Sequence, residues 1–205
     1  MTMSFRQPPL QDRSTTRVAV DVTFLRLDPN AIGMPARPAD SDGERFPPGC
    51  DLVMVRAPTV GFYRYLYPSV GDAYCWWLRR MTPDIELAAL LAHPRISLHV
   101  LYRAGEPIGF FELDGRDSLD INLSYFGLMP HAIGTGAGYP LLLAAIETAR
   151  AGSAGGVVRV NTCTADHPRA MGTYLRAGFV PLRTVREIWD IPNRLGLPIP
   201  DRLRA

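Results

Sequence analysis

The chain has 205 residues, of which 47% are hydrophobic and 20% charged, and its 22 Lys and Arg against 20 Asp and Glu give a formal net charge of +2. This composition is typical of one soluble globular domain, and the small charge excess argues against a dedicated nucleic-acid binder. No apolar run approaches the roughly 20 residues of a membrane span, so we expect neither nucleic acid nor membrane as a partner.

The cysteines and the N-terminal residues indicate in which cellular compartment the protein is expected. The three cysteines, Cys50, Cys75 and Cys163, include no CxxC pair, which argues against a disulfide framework and against a zinc site. The first residues have no apolar core of the kind that a signal peptide needs. We therefore expect a cytoplasmic protein with reduced thiols and no metal.

The N-terminal part of the chain divides into three segments. Residues 1–16 are polar and predict a flexible tail. Residues 17–27 alternate and are rich in β-branched side chains, which predicts a strand. Residues 28–50 hold five prolines and predict a long surface loop that is either functional or mobile. Residues 17–205 are expected to form one domain, with this strand as an N-terminal addition.

The remaining segments predict a mixed α/β (α+β) protein rather than a regular βα alternation. Strands are predicted from alternation and β-branched content at 52–56, 96–102, 107–113, 119–128, 157–164, 179–185 and 187–191. Helices are predicted from apolar content and terminal signals at 62–70 (broken by Pro68), 83–92, 139–151 and 168–177.

The most informative segment joins the strand 119–128 to the helix 139–151. Three glycines, Gly134, Gly136 and Gly138, alternate with other residues just before the helix. Glycines let backbone N–H groups approach a ligand, and a helix N-terminus adds positive potential, a combination that suits phosphate. No Gly-Lys-Ser/Thr follows, so this is not a P-loop, and GxGxG lacks the spacing of a dinucleotide fingerprint. A tight turn without any ligand is the alternative.

This segment resembles motif A of the GNAT superfamily, the acetyl-CoA-dependent N-acyltransferases. Leu128 and Pro130 match the strand end and the following proline, Gly136 and Gly138 match the glycine pair, and the Leu141-Leu142 pair matches the helix leucines. The position that is Gln or Arg in the family is Ile133 here.

A second match lies downstream, at residues 167–179. It resembles the family pattern N-x-x-A-x-x-F/Y-Y-x-K/R-x-G-F through Ala170, Tyr174, Arg176, Gly178 and Phe179, with His167 at the Asn position. The resemblance covers roughly residues 52–185. Two motifs in the family's order and at its usual separation are more specific than either alone.

The resemblance implies a fold and a cofactor site. The fold would be a central, mostly antiparallel sheet that is splayed between the motif A strand and the next strand, with helices on both faces. The co-substrate would be acetyl-CoA, with no metal. The residues expected to bind it are Gly127, Leu128, Met129, Ile133, Gly134, Thr135, Gly136, Ala137, Gly138, Tyr139, His167, Ala170 and Tyr174.

The resemblance also implies three catalytic roles. Tyr174 would protonate the leaving thiolate, which suits a phenol with a pKa of about 10. A backbone N–H near Leu128 would polarise the thioester carbonyl. Glu112, on the strand that faces motif A, would deprotonate the amine. The residues alone also allow Tyr174 to be a core tyrosine and Glu112 a solvated rim charge.

The expected function is acetyl transfer to a primary amine of a small molecule by direct attack. Two alternatives remain: a non-catalytic CoA-binding or sensory module, and an acetyltransferase that acts on protein lysines or N-termini. Aromatic residues such as Trp76 and Trp77, if they face a pocket, would favour a flat or apolar amine. A homodimer is compatible with the sequence, but no feature of it predicts one.

Overall fold

The computed structural model describes residues 14–29, 45–117, 119–152 and 155–205. Most of the predicted tail 1–16 and of the predicted loop 28–50 therefore lies outside the described residues. The first strand begins at Thr15, so the last two residues of the predicted tail belong to the sheet.

Seven strands in the described part of the chain account for every predicted strand. They are β1 (Thr15–Leu27), β2 (Cys50–Val55), β3 (Ile96–Arg103), β4 (Glu106–Asp114), β5 (Asp120–Leu128), β6 (Val157–Cys163) and β7 (Val180–Pro192). The prediction of two separate strands at 179–185 and 187–191 is wrong. Arg186 between them pairs with Asp21, because β1 offers a continuous partner along the whole of β7.

Five α-helices among the described residues connect or flank the strands. They are α1 (Val60–Gly71), α2 (Leu78–Met81), α3 (Asp84–Leu91), α4 (Gly138–Gly152) and α5 (Ala170–Arg176). Pro68 does not break α1 as predicted. Burial of Leu66, Tyr67 and Val70 around it holds the helix despite the lost backbone hydrogen bond. None of the described helices is long and apolar enough to cross a membrane.

The strands form one sheet in the order β2-β3-β4-β5-β6-β1-β7. All neighbouring pairs are antiparallel except β5 and β6, which are parallel. The prediction of a mixed α/β protein with a mostly antiparallel sheet is thus confirmed. The added strand β1 does not lie at an edge but is inserted between β6 and β7.

The sheet opens between β5 and β6, as expected. The two strands pair only from Asp120 opposite Val157 to Leu123 opposite Val160. At the same point β5 contains a bulge, because Leu113 of β4 faces Leu123 while Glu112 faces Tyr125, which leaves Ser124 between them. A bulge bends its strand and increases the local twist. The rest of β5 therefore diverges from β6 and leaves a gap.

Helices cover both faces of the sheet. The packing of two successive side chains of β4 shows this. Phe110 packs in a cluster with Tyr63 of α1 and Leu87 of α3. Its neighbour Phe111 packs in the other cluster, with Leu141 of α4. Successive side chains of a strand point to opposite faces, so α1 and α3 lie on one side of the sheet and α4 lies on the other.

Candidate active site

The gap between β5 and β6 continues into a cleft of about 1420 Å³. This exceeds the ~300–1,000 Å³ of an ordinary small-molecule pocket. Residues of both diverging strands, among them Tyr125, Phe126 and Asn161, line it. The cleft therefore has space for an extended ligand that enters between the strands and for a second molecule beside it.

The glycine-rich turn forms one end of the cleft. Gly134 and Gly136 have φ of +85° and +89°, a conformation that side chains other than glycine rarely adopt. A Cβ built on either residue would meet no atom within 4 Å, so both border open space. In the described part of the chain, nothing accepts a hydrogen bond from the N–H groups of Gly136, Gly138 or Tyr139. These donors, at the start of α4, form a suitable site for a phosphate group.

Cationic side chains surround the same end. The Arg176 guanidinium lies over the Tyr139 ring, 4.0 Å from its centroid. Arg169 also lines the cleft, from the turn before α5. Positive charge next to free backbone donors favours a polyanion such as the phosphates of CoA.

Most residues expected to bind the cofactor line the cleft: Gly127, Leu128, Ile133, Gly134, Gly136, Gly138, Tyr139, His167, Ala170 and Tyr174. Three others do not. Met129 and Ala137 are buried in the core, and Thr135 donates its hydroxyl proton to the Ala132 carbonyl at 2.8 Å, which closes the turn. These three shape the glycine-rich turn without lining the cleft.

The N–H group of Leu128 points into the gap, as its expected role of polarising the thioester carbonyl requires. Met129 donates its N–H to the Ile108 carbonyl at 2.8 Å, on the β4 side. Successive N–H groups of a strand point to opposite edges, so the Leu128 N–H faces the edge that β6 has left. A donor at this edge can stabilise negative charge on an oxygen held in the gap.

Tyr174 lies on α5 between Phe126 and Phe179, with ring centroids at 6.2 and 5.7 Å. Its side chain is largely buried but lines the cleft. Nothing in the described ranges hydrogen-bonds its hydroxyl group. Burial, and secondarily the charge of Asp166, raise the pKa of Tyr174 above its usual range. The phenol therefore keeps its proton until a strong base forms beside it.

Glu112 does not take the position expected of a base. It is fully buried and does not line the cleft. Its Oε1 accepts from Arg79 Nη2 at 2.7 Å, and its Oε2 accepts from the Tyr63 hydroxyl at 2.5 Å. Both carboxylate oxygens are thus engaged. Glu112 holds Arg79, whose guanidinium lies 5.3 Å from the Tyr125 ring centroid and lines the cleft.

The sequence reasoning missed several charged residues of the cleft, among them Arg79, Asp166 and Glu187. Arg79 stands close to the Trp76-Trp77 pair that the sequence offered as candidate pocket residues, and Asp166 directly precedes His167 of the second motif. Both positions thus adjoin segments already singled out. All three tryptophans of the chain, Trp76, Trp77 and Trp189, line the cleft as well. Among the described residues, no cluster of three or more His, Cys, Asp or Glu could hold a metal ion.

Comparison with known proteins agrees with this geometry. The model of the acetyltransferase (GNAT) family matches residues 58–179, which is more than half of the chain. This range includes the glycine-rich turn and Tyr174. A comparison with curated proteins finds no match.

Several solved structures share the fold at low sequence identity. A GCN5-related N-acetyltransferase from Kribbella flavida is 16% identical, with a TM-score of 0.56 over 85% of this chain and 60% of that chain. One from Sphaerobacter thermophilus is 15% identical, with a TM-score of 0.58 over 87% and 54%. A tandem GNAT protein from the clavulanic acid biosynthesis pathway is 19% identical, with a TM-score of 0.54 over 87% and 55%. The present chain thus spans only about half to two thirds of these chains.

Proposed function

The chain belongs to the GNAT acetyltransferase family, and we propose that it transfers an acetyl group from acetyl-CoA to a primary amine of a small molecule. The observation that carries this proposal is the gap between β5 and β6. It has phosphate-binding geometry at one end, an open backbone edge along its side and Tyr174 beside it.

The residues present fit acetyl-CoA. The donors of Gly136, Gly138 and Tyr139 would bind its pyrophosphate, and the cations of α5 and the preceding turn would bind its remaining charge. The backbone of Ser124–Leu128, which has no partner on β6, can hydrogen-bond the amide groups of its arm. Acetyl-CoA supplies the activated acetyl group, and the protein supplies position and electrostatics.

Two groups of the chain then support the transfer. The Leu128 N–H stabilises the negative charge that develops on the thioester oxygen during attack by the amine. Tyr174 donates its hydroxyl proton to the departing sulfur. Because burial raises its pKa, the phenol is protonated at physiological pH, so a proton is present when the thiolate forms next to it.

The shape and lining of the cleft favour a small acceptor. The tryptophans Trp76, Trp77 and Trp189, together with Tyr74 and Tyr125, give the cleft an aromatic lining. An aromatic wall suits a flat or apolar amine. The aromatic lining is the reason that we favour a small molecule over a protein lysine as the acceptor.

The proposal is tested by CoA release. Purified protein is incubated with acetyl-CoA and a panel of aromatic, alkyl and polyamine acceptors, and free thiol is measured against reactions without acceptor. Release with one class of amine supports the proposal. If acetyl-CoA binds but no amine produces thiol above background, the small-molecule transferase is rejected and a non-catalytic CoA-binding module or a protein substrate takes its place.

A further inference from the structure

Asp166 places a carboxylate in the cleft at the end of β6. It lies in the turn between β6 and α5 and lines the cleft together with Tyr174 and Trp76. Its Oδ2 accepts hydrogen bonds from the Cys163 backbone N–H and the Thr162 hydroxyl, both at 2.8 Å. The side chain of Trp76 lies next to the same carboxyl group. These bonds fix the carboxylate where a ligand in the cleft can reach it.

Asp166 forms no ion pair in the part of the chain that the structure describes. Of the other carboxylates in or near the cleft, Glu112 pairs with Arg79 at 2.7 Å and Asp114 with Arg116 at 2.6 Å. Glu187 forms no ion pair among the described residues and accepts a hydrogen bond from Trp189 Nε1 at 2.8 Å. A carboxylate in a largely apolar cleft is costly without a counter-ion. A ligand that brings a positive charge would offset that cost.

We propose that Asp166 binds the ammonium group of the acceptor and removes its proton, the role that the sequence had suggested for Glu112. This inference rests on the proposed function and narrows its substrate class. The acceptor would be a primary amine that is protonated in solution and attached to an apolar or aromatic body. Trp76 and Trp77 would contact that body, and their ring faces would also attract the ammonium group.

The proton balance of the reaction is complete with these groups. The ammonium gives one proton to the Asp166 carboxylate and becomes a neutral amine. The amine nitrogen forms a bond to the acetyl carbon, and the carbon–sulfur bond breaks with its electron pair on sulfur. Tyr174 protonates the sulfur and regains a proton from the acylated nitrogen. Asp166 releases its proton to water, so one ammonium ion and one thioester give one amide, one thiol and one proton.

The surroundings of Asp166 support a basic carboxylate. Burial raises the pKa of Asp166 above its usual range, although its hydrogen bonds oppose this. The other titratable or charged groups near it are Tyr74, Cys75, Cys163, His167, Tyr174 and Arg202. Burial also raises the pKa of Tyr74, Cys75 and Cys163, which leaves these groups neutral at physiological pH.

The test measures binding apart from turnover. Protein saturated with CoA is titrated calorimetrically with 2-phenylethylamine, tryptamine and hexylamine, and with the matching alcohols, which lack the charge. We expect the wild type to bind at least one amine about 10- to 100-fold more tightly than its alcohol, in the range of charge-assisted hydrogen bonds. Asp166→Asn should lose this preference and keep its affinity for the alcohol. Thr162→Val, which removes one of the hydrogen bonds that hold Asp166 but keeps its charge, should bind the amine more weakly than the wild type does and still prefer it over the alcohol.

Turnover gives the second measurement. Asp166→Asn should lower kcat/KM for the amine by about 10²- to 10⁴-fold, should leave the Kd for acetyl-CoA unchanged, and should flatten the acidic limb of the pH–rate profile. A merely structural role would affect Asp166→Asn and Thr162→Val alike.

The two proposals fail in different ways. If the wild type prefers no amine over its alcohol, or if Asp166→Asn keeps the preference and the rate, the role of Asp166 is wrong even when CoA is released. If the preference depends on Asp166 but no CoA is released, the ammonium site stands and the transferase proposal is wrong.

Discussion

Arg79 and Glu112 form an ion pair of 2.7 Å in which the carboxylate is fully buried and the guanidinium faces the cleft. The pair joins α2 to β4 across the sheet face that α1 also covers. Burial lowers the pKa of Arg79, but Glu112 and the neighbouring tyrosines outweigh this and raise it. Arg79 therefore stays charged, and Glu112 acts as its anchor rather than as a base in contact with substrate.

Glu112→Gln is accordingly expected to affect stability more than chemistry. Removal of one partner of a buried ion pair costs about 3 kcal/mol, because the other charge is left uncompensated. Chemical denaturation should show this loss, while the pH–rate profile keeps its shape. The double variant Glu112→Gln/Arg79→Met should recover part of the stability. An unchanged free energy of unfolding together with a shifted pH profile would return the role of base to Glu112.

Tyr174→Phe removes the proposed proton donor and leaves the ring between Phe126 and Phe179. We expect kcat to fall by roughly 10- to 10⁴-fold, with the Kd for acetyl-CoA unchanged. Tyr102→Phe, at a half-buried tyrosine outside the cleft, serves as the control for loss of a hydroxyl group. Steady-state kinetics decide the matter, since equal rates for Tyr174→Phe and the wild type would exclude Tyr174 from the mechanism.

Ile133 offers a test by gain of function. Its side chain is 40% exposed and borders the glycine-rich turn, at the position where the family has Gln or Arg. Ile133→Arg adds a donor and a positive charge beside the proposed pyrophosphate site. Calorimetry should show acetyl-CoA bound about 2- to 10-fold more tightly, as expected for a partly exposed charge. Ile133→Met, which adds no charge, should leave the affinity as it is, and tighter binding by both variants would speak against an electrostatic effect.

His99 makes the protein sensitive to acid. It is buried on β3 and stacks on Phe111, with its Nε2 unpartnered in the described structure. Burial lowers the pKa of His99 to about 4. Because this lies below the unfolded value of ~6.5, the stability that depends on neutral His99 is present above pH ~6.5 and is lost as the pH falls towards 4.

The expected loss from His99 is about 3 kcal/mol, at roughly 1.4 kcal/mol per pKa unit. Denaturant unfolding at several pH values measures it. His99→Phe should flatten the pH dependence between pH ~6.5 and ~4, whereas His131→Ala, at an exposed histidine, should not. An equally steep dependence in His99→Phe would refute the assignment.

The local patterns of the sequence predicted most elements of the fold, because alternation and helix signals are properties of neighbouring residues. Two errors came from tertiary contacts. Pro68 was expected to end a helix that core packing continues, and Arg186 was expected to divide a strand that β1 holds together. The place of β1 inside the sheet depends on pairing between distant residues, which no local pattern reveals.

The candidate site, too, was predictable from the sequence only in part. The glycine-rich turn and Tyr174 carry motifs, so their neighbourhood in the cleft could be anticipated. Glu112 was assigned by its place on a strand, but whether a carboxylate faces solvent, substrate or an arginine depends on α2, a four-residue helix that the sequence did not predict. Asp166 belongs to no recognised motif position. Its place in the cleft depends on how β6, α5 and Trp76 pack together, which the sequence did not reveal.

The central claim is that the gap beside the glycine-rich turn binds acetyl-CoA, and calorimetric titration with acetyl-CoA tests it most directly. We expect the wild type to bind, and Gly136→Val to bind at least about tenfold more weakly, because the side chain fills space that the ligand needs and strains a residue at φ +89°. Gly105→Val, at φ +84° in the β3–β4 turn, carries similar strain away from the cleft and should bind as the wild type does. Absence of binding by the wild type, or equal binding by Gly136→Val, would contradict the assignment of the site.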